Sequence, residues 1–344
     1  MLLEEEKAKL KAELAALDDK GRYQEIVDSL EGLADIDLEL ALILVRAYLN
    51  LHNQHDDDLY LARAQDILNT FEDEGGNHAL YLYLKAMCLI KENLLQDAKI
   101  RLERAQRFVP LTEPELFARI QRQLALIERA AAQRPLSAEE SAAFDEHAKL
   151  YFGAVHARIQ GDQVEIVVFE PNEDHDYYLL VTKGLSSLRQ VVPDGADPRE
   201  NACLELALAL PKAWPIERSE LNYYYPFRLL FDLVSQVRLS PNFVGFGYCV
   251  DFAKPYLPEL RISGAMLTAL GAYQKIAQSY VLNDGFRVNI FQVLPLYPLE
   301  IAYRQDHSAA QLLERLQSAG AILCPYYEDR KDALLSVSSK LTAG

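Results

Sequence analysis

Helix-forming residues dominate the first third of the chain, and polar breaks divide them into helix-sized blocks. From Met1 to Val109 the sequence contains no proline and is rich in Ala, Leu, Glu and Lys, which favour helices. Polar breaks fall at 18–21, 52–58, 73–77 and 91–93. This rhythm predicts an array of paired helices.

The block Ala79–Thr112 is the clearest predicted helix pair. It places small residues at Ala86, Ala98 and Ala105, where two antiparallel helices would touch, and Pro110 near its end, where proline stops a helix. Over a repeat of about 34 residues, this pattern resembles a tetratricopeptide unit. The earlier blocks are degenerate, so we expect about two to three such units.

The predicted helix Leu40–Leu51 is apolar on every side, so it has to be covered on every side. The first helix of each unit would line a concave groove, and the groove would bind a peptide or be filled by a later helix or the second domain. Filling is favoured, because exposed apolar patches of this size are uncommon on monomers. The candidate groove residues are Leu44, Tyr48, Leu51, Tyr83, Met87 and Ile90.

Strand and helix patterns are mixed after residues 134–137, which combine a helix stop with a helix cap. We therefore predict a helical domain over 1–135 and a second domain of the α+β class over 136–344. The predicted strands are Val164–Phe169, Tyr177–Thr182, Leu204–Leu210 and Val288–Leu294, and the predicted helices are Ser137–Tyr151, Glu217–Val237, Leu270–Tyr280 and Ala309–Ser318.

Four segments of this second region resemble, in order, the motifs of Suppressor of fused-like (SUFU) domains. The resemblance covers about residues 145–325, and the order of the four segments makes it more specific than any one alone. The segments are a strand ending in T-x-G-L-S at Thr182–Ser186, a strand Leu204–Leu210 followed by Pro211 and Trp214-Pro215, a Gly-rich aromatic turn at Phe243–Tyr248, and a strand that stops at Pro295 before a bend at Leu296–Glu300 and a helix from Ala309.

This resemblance implies a non-catalytic protein-binding domain. In animals the family sequesters a zinc-finger transcription factor, whereas many bacterial members look like immunity proteins that neutralise secreted polymorphic toxins. The present chain is shorter and carries helical repeats in place of the long C-terminal half of the animal protein, which favours the bacterial role. The alternative is an adaptor or scaffold protein whose helical groove binds a peptide partner.

Charge supports a protein partner rather than a nucleic acid or a membrane. The 35 basic and 51 acidic residues give a formal net charge of −16, which disfavours binding to phosphates and suits a basic partner such as a toxin domain. Residues 98–135 are locally basic, with 8 bases and 4 acids. No aromatic residues alternate with these bases, so a solvated face is favoured over a nucleic-acid stripe.

The cysteines indicate free thiols rather than disulfides or a metal site. Cys88, Cys203, Cys249 and Cys324 lie far apart, beside apolar residues and without a C-x-x-C pair. The N-terminus lacks the pattern of a signal peptide, and no segment approaches the ~18 apolar residues of a membrane helix. We therefore expect a cytoplasmic protein, whose oligomeric state the sequence does not predict.

No group of residues predicts catalysis, a metal or a cofactor. The acidic segment Glu170–Asp176 could hold a divalent cation, but its spacing fits no EF-hand and a hairpin loop is favoured. Three adjacent tyrosines, Tyr223, Tyr224 and Tyr225, cannot all point inward on one helix. They are candidate partner-binding residues, although core packing is the favoured alternative.

Overall fold

The computed structural model describes residues 4–33, 36–55, 57–162, 164–252, 255–256, 260–321, 323–327, 330, 332 and 334. The chain divides into two units, Met1–Glu128 and Arg129–Gly344. The described part of the first unit contains helices and no strand, and the second mixes strands with helices. The predicted fold class, a helical array followed by an α+β domain, is confirmed. A boundary between 135 and 136 stays a prediction.

Eight helices are found among the described residues of the helical unit. They are α1 Glu4–Asp18, α2 Tyr23–Glu31, α3 Leu38–His55, α4 Asp58–Thr70, α5 Glu72–Gly75, α6 Ala79–Lys91, α7 Leu95–Phe108 and α8 Pro114–Ala131, of which the last three residues count with the second unit. The predicted breaks therefore fall at or close to real helix ends.

Helices α6 and α7 form the predicted pair around small residues. Ala86, Ala98 and Ala105 are fully buried, which lets the two helix backbones approach closely. At the end of α5, a Cβ on Gly75 would lie 2.3 Å from the ring of Tyr81, so only glycine fits there. The resemblance of this pair to a tetratricopeptide unit stays a prediction.

The second unit contains all eight described strands. In chain order its elements are α9 Ala138–Tyr151, β1 Val155–Gln160, β2 Glu165–Phe169, β3 Tyr177–Lys183, α10 Pro198–Asn201, β4 Cys203–Pro211, α11 Leu221–Leu239, β5 Cys249–Asp251, β6 Gly264–Ala269, β7 Ser279–Val281, β8 Arg287–Leu296, α12 Pro298–Asp306 and α13 Ala309–Ser318.

These strands form one sheet in the order β1-β2-β3-β4-β8-β6-β5, with β7 paired to β8. Strands β1 to β4 are antiparallel neighbours, and β4 then pairs with β8 in parallel, from Cys203↔Val288 to Ala207↔Gln292. On its other side β8 pairs with β7 near its start and with β6 towards its end.

Strand β4 shows how the sheet separates two cores. Its even-numbered leucines, 204 to 210, pack in one cluster with α11. Cys203, Ala207 and Ala209 point to the other face, where the cluster includes Phe144 of α9. This alternation follows from the two-residue period of a strand. The sheet is therefore covered by helices on both faces.

Three predictions in this unit are wrong. Leu270–Tyr280 is not a helix, because its end joins the sheet as β7 after a short 3₁₀ turn at Lys275–Gln278. Strand β8 does not stop at Pro295, because Pro295 still pairs with Ala265 of β6. The pairing of β8 with β4 ends at Gln292. Pro295 therefore lies where β8 has no β4 partner, and a proline is tolerated at such an edge.

The third wrong prediction is the bend at Leu296–Glu300, because Pro298 starts helix α12 there. Proline suits the first helical position, where its missing N–H has no partner to lose. In addition, β1, β5, β6 and β7 were not predicted. The helix Ala309–Ser318 is confirmed with its cap Ser308, whose hydroxyl accepts from the N–H of Gln311 at 3.3 Å.

We predict that Leu44→Asp destabilises the protein by about 3 kcal/mol or more, because it buries an unpaired charge. Leu44 of α3 is only 3 % exposed within the helical core. Leu59→Asp on α4 is the matched control, since Leu59 is 59 % exposed. Urea unfolding of both variants measures the difference, and equal losses would contradict the burial of α3.

Candidate interaction surfaces

The T-x-G-L-S segment forms a turn that binds a buried carboxylate. Glu205 of β4 accepts hydrogen bonds from the Thr182 hydroxyl at 2.6 Å, the Gly184 N–H at 3.0 Å and the Ser186 N–H at 2.9 Å. Gly184 has φ 117°, which a residue with a side chain rarely adopts. The Thr182 hydroxyl also accepts from the N–H of Leu206 at 2.8 Å. These contacts tie the end of β3 to β4.

Glu205 has no solvent exposure. Burial raises the pKa of its carboxyl above the ordinary value, although the hydrogen bonds from Thr182, Ser186 and Gly184 act in the opposite direction. Glu205 is not among the site residues predicted from the sequence. A signal was present, because Glu205 is the one charged residue in the apolar run Leu204–Leu210.

A second buried contact is made by Arg330, which follows α13 in the chain. Arg330 donates to both carboxylate oxygens of Glu300, at 2.7 Å each, and to the carbonyl of Pro295 at 3.0 Å. Its guanidinium lies 4.7 Å from the ring centre of Tyr297. Such a pair is costly to break, because removing one partner leaves a buried charge. No sequence pattern pointed to Arg330.

The three adjacent tyrosines at the start of α11 differ in exposure. Tyr225 is buried, with its ring 5.8 Å from that of Trp214. Tyr224 is half-buried and stacks on Phe227 at 5.1 Å. Tyr223 is also half-buried, and the Arg218 guanidinium lies 5.1 Å from its ring centre.

Beside these rings, Leu221 is 45 % exposed. We call Arg218, Leu221, Tyr223 and Tyr224 the α11 aromatic surface. It combines two half-buried tyrosine rings with an exposed aliphatic side chain and a cation, which is the composition typical of protein contact surfaces. Partner binding by Tyr223, Tyr224 and Tyr225 stays a prediction.

The six predicted groove residues fall into two groups in the helical unit. Leu44, Tyr48 and Leu51 of α3 are buried in its core. Tyr83, Met87 and Ile90 of α6 are half-buried. Their role in binding stays a prediction.

We call Leu80, Tyr83, Met87 and Ile90, which recur every three or four residues along α6, the α6 stripe. Leu80 also borders a cavity of about 490 Å³, together with Arg46 and Arg119. Burial raises the pKa of the Tyr83 hydroxyl, and the nearby Arg119 and Arg122 partly offset this rise. The stripe thus has arginines close to its aromatic member.

Several members of the basic segment 98–135 have acidic partners. Lys99 contacts Glu128 at 3.2 Å, and Arg134 contacts Glu140 at 2.6 Å. These two cations of the segment are therefore paired with carboxylates, and the predicted solvated face stays a prediction.

The acidic loop Glu170–Asp176 is organised by hydrogen bonds. The side-chain oxygen of Asn172 accepts from the N–H groups of Asp174 and His175, both at 2.9 Å. Asp176 pairs with Lys212 at 2.8 Å. In the part of the chain that the structure describes, no cluster of His, Cys, Asp or Glu has the arrangement of a metal site. None of the described helices is long and apolar enough to cross a membrane.

Comparison with known proteins identifies most of the second unit. Residues 160–325 match the model of the family described as Suppressor of fused protein (SUFU), and this part of the chain is therefore a Suppressor of fused domain. The match spans the T-x-G-L-S turn, β4, α11 and α12–α13. A comparison with curated proteins finds no match.

Three solved structures of Suppressor of fused proteins are among those that are similar to this chain. A protein from Neisseria gonorrhoeae FA 1090 described as a SUFU homologue has 13 % identity and a TM-score of 0.43, with 58 % of this chain and 98 % of that chain covered. The Sufu–Fu complex has 13 % identity and a TM-score of 0.46, with 61 % of this chain and 97 % of that chain covered. Drosophila Suppressor of Fused has 13 % identity and a TM-score of 0.44, with 60 % of this chain and 53 % of that chain covered.

We predict that Glu205→Gln changes the pH dependence of stability. An acid with a raised folded pKa keeps its proton longer in the native state, so stability falls as pH rises from the ordinary value of 4.5 through the raised value. Glutamine does not titrate, so the stability of the variant relative to the wild type should increase as the pH rises over this range. Urea unfolding at several pH values measures the free energy of unfolding of both proteins. The titration of all other groups contributes equally to the two and cancels in their difference.

The matched variant is Glu205→Leu, which leaves the Thr182 hydroxyl and the N–H groups of Gly184 and Ser186 without their acceptor. Each unpaired group costs about 1–3 kcal/mol, so this variant should be destabilised at every pH. Parallel pH profiles for the wild type and the glutamine variant would show that the carboxyl of Glu205 does not titrate with a raised pKa.

Proposed function

We propose that this chain is a non-catalytic inhibitor that binds and neutralises a secreted toxin. The Suppressor of fused domain is a protein-interaction module, and one of the similar solved structures is a complex of Sufu with Fu. For the present chain, the observation that carries the proposal is the α11 aromatic surface. It lies inside the matched region and exposes side chains that commonly anchor protein contacts.

Tyrosine is well suited to such a role. Its ring provides a large contact area, and only two side-chain torsions are restricted when it binds. Tyr224 is already held by its stack on Phe227, and Tyr223 by Arg218. Because these rings are positioned before binding, little conformational entropy remains to be lost on association.

Charge supports a basic partner. The net charge of −16 is shared evenly, with −8 in residues 1–135 and −8 in residues 136–344. Toxins that cleave nucleic acids need cations to hold phosphates, so they present a basic surface. An acidic inhibitor attracts such a surface over a distance and increases the association rate.

The second candidate function is a peptide adaptor that uses the helical unit. The α6 stripe favours it, because Tyr83, Met87 and Ile90 are half-buried and Arg119 and Arg122 lie near Tyr83. A partner for this face would carry apolar side chains at helical or extended spacing together with acidic groups. This chemistry is opposite in charge to that of a basic toxin, so the two proposals can be separated by experiment.

For the toxin-inhibitor role we predict a strongly salt-dependent association rate with a partner captured from native cells. Raising the salt from low to high concentration should lower this rate on the order of tenfold, because screening removes the long-range attraction. The dissociation rate should change far less, since apolar contacts hold the complex. Surface-based or stopped-flow kinetics at several salt concentrations measure both rates.

Tyr224→Ala should raise the dissociation rate about tenfold, as expected for a contact worth about 1.4 kcal/mol. Tyr327→Ala, at an exposed tyrosine outside the α11 aromatic surface, is the control and should have no effect. Co-expression should also abolish the toxicity of the captured partner. A salt-independent association rate, or a partner that remains toxic, would contradict the proposal and leave the peptide adaptor as the better account.

A further inference from the structure

A cavity of about 430 Å³ lies within the second unit beside the T-x-G-L-S turn. Its wall includes the segment 133–136 and Gln160 at the end of β1. Lys183 and Gly184 at the end of β3 and Arg238 near the end of α11 also belong to it. Cavities of this size commonly bind small molecules, and polar wall groups then select the ligand.

Most charged groups in this wall already have a partner of opposite charge. The pairs are Arg134 with Glu140 at 2.6 Å, Lys183 with Asp145 at 2.8 Å and Glu165 with Arg158 at 2.7 Å. Each pair is close to neutral as seen from the cavity, so none of them attracts a charged ligand strongly.

Arg238 differs from the other cations of the wall. Within the described residues no carboxylate lies at ion-pair distance from it, and its Nη2 donates to the carbonyl of Ala130 at 3.2 Å. Its Nε–H is buried and has no hydrogen-bond partner in the described part of the chain. A guanidinium has five N–H donors, and partial burial lowers the pKa of Arg238. The cation is therefore partly desolvated without a counter-charge.

Arg129 is a second partly buried cation near the end of α11, and its buried Nε–H likewise has no hydrogen-bond partner in the described part of the chain. The two arginines differ in the contacts of their Nη groups. The Nη2 of Arg129 lies within 3.4 Å of three carbonyl oxygens at the end of α11, those of Val237, Arg238 and Ser240. These carbonyls carry the partial negative charge of a helix C-terminus. Arg238 contacts a single carbonyl and, unlike Arg129, lines the cavity. Because Arg238 contacts fewer carbonyls than Arg129, it has N–H donors left with which to bind a ligand in the cavity.

We propose that this cavity binds a small molecule through one anionic oxygen group, a carboxylate or a phosphate, that pairs with Arg238. Guanidinium groups bind both kinds of anion through paired hydrogen bonds. Asp162 and Glu165 also line the cavity and disfavour ligands with several negative charges. The expected ligand is therefore small and carries a single anionic group. This site is separate from the α11 aromatic surface and does not depend on the proposed function.

The test is a titration of the full chain with acetate, inorganic phosphate and citrate, followed by NMR of the arginine Nε–Hε signals. Acetate or phosphate should shift the Arg238 signal saturably, with a dissociation constant of about 1 mM or tighter. Comparison of the two shows whether the site prefers a carboxylate or a phosphate. Citrate should bind more weakly than the preferred anion, because Asp162 and Glu165 repel its additional negative charges.

Arg238→Gln should weaken binding at least tenfold, whereas Arg228→Gln, at an exposed arginine of the same helix, should not change it. Asp162→Asn keeps the test informative if the first variant does not fold. Asp162 is an exposed residue, and its neutralisation should tighten binding of phosphate severalfold. The absence of a saturable shift, or binding that neither Arg238→Gln nor Asp162→Asn changes, would overturn the proposal.

Discussion

The buried carboxylate of Glu205 is the contact on which the Suppressor of fused domain depends most. It binds the N–H groups of Gly184 and Ser186 and the hydroxyl of Thr182, and so fixes β3 against β4 at the centre of the sheet. Strand β4 in turn supplies the leucines that pack with α11, whose first residues present the aromatic surface. An apolar residue at 205 would leave three buried donors unpaired, so the carboxylate selects this turn conformation over others.

The elements predicted best were those whose signal is local. The cap at Ser308 and the apolar positions of α13 predict Ala309–Ser318, and the small residues of 79–112 predict the pairing of α6 with α7. Leu270–Tyr280 could not be predicted in this way. Its end becomes β7 because Ser279–Val281 pairs with Arg287–Asn289 of β8, and this tertiary contact outweighs local helix preference. Strand β1 was missed for a related reason, since its exposed edge carries little apolar alternation.

The candidate site was predictable in composition but not in geometry. The spacing of Tyr223, Tyr224 and Tyr225 implies that at least one ring is exposed or covers a neighbouring element, and two of the three are half-buried. The anchoring contacts are different, because Thr182 and Glu205, or Glu300 and Arg330, lie 23 and 30 residues apart. No periodic pattern connects such positions, and only the folded sheet brings them together. Likewise, the outer face of the apolar helix α3 could not be separated from its buried face by hydropathy alone.

The α11 aromatic surface is the proposed protein contact of the Suppressor of fused domain. Hydrogen–deuterium exchange of the full chain, with and without a partner captured from native cells, tests this claim most directly. We predict that exchange slows in residues 216–228 when the partner binds, while the α6 stripe is unaffected. Slower exchange at the α6 stripe with no change in residues 216–228 would contradict the account and place the partner on the helical unit.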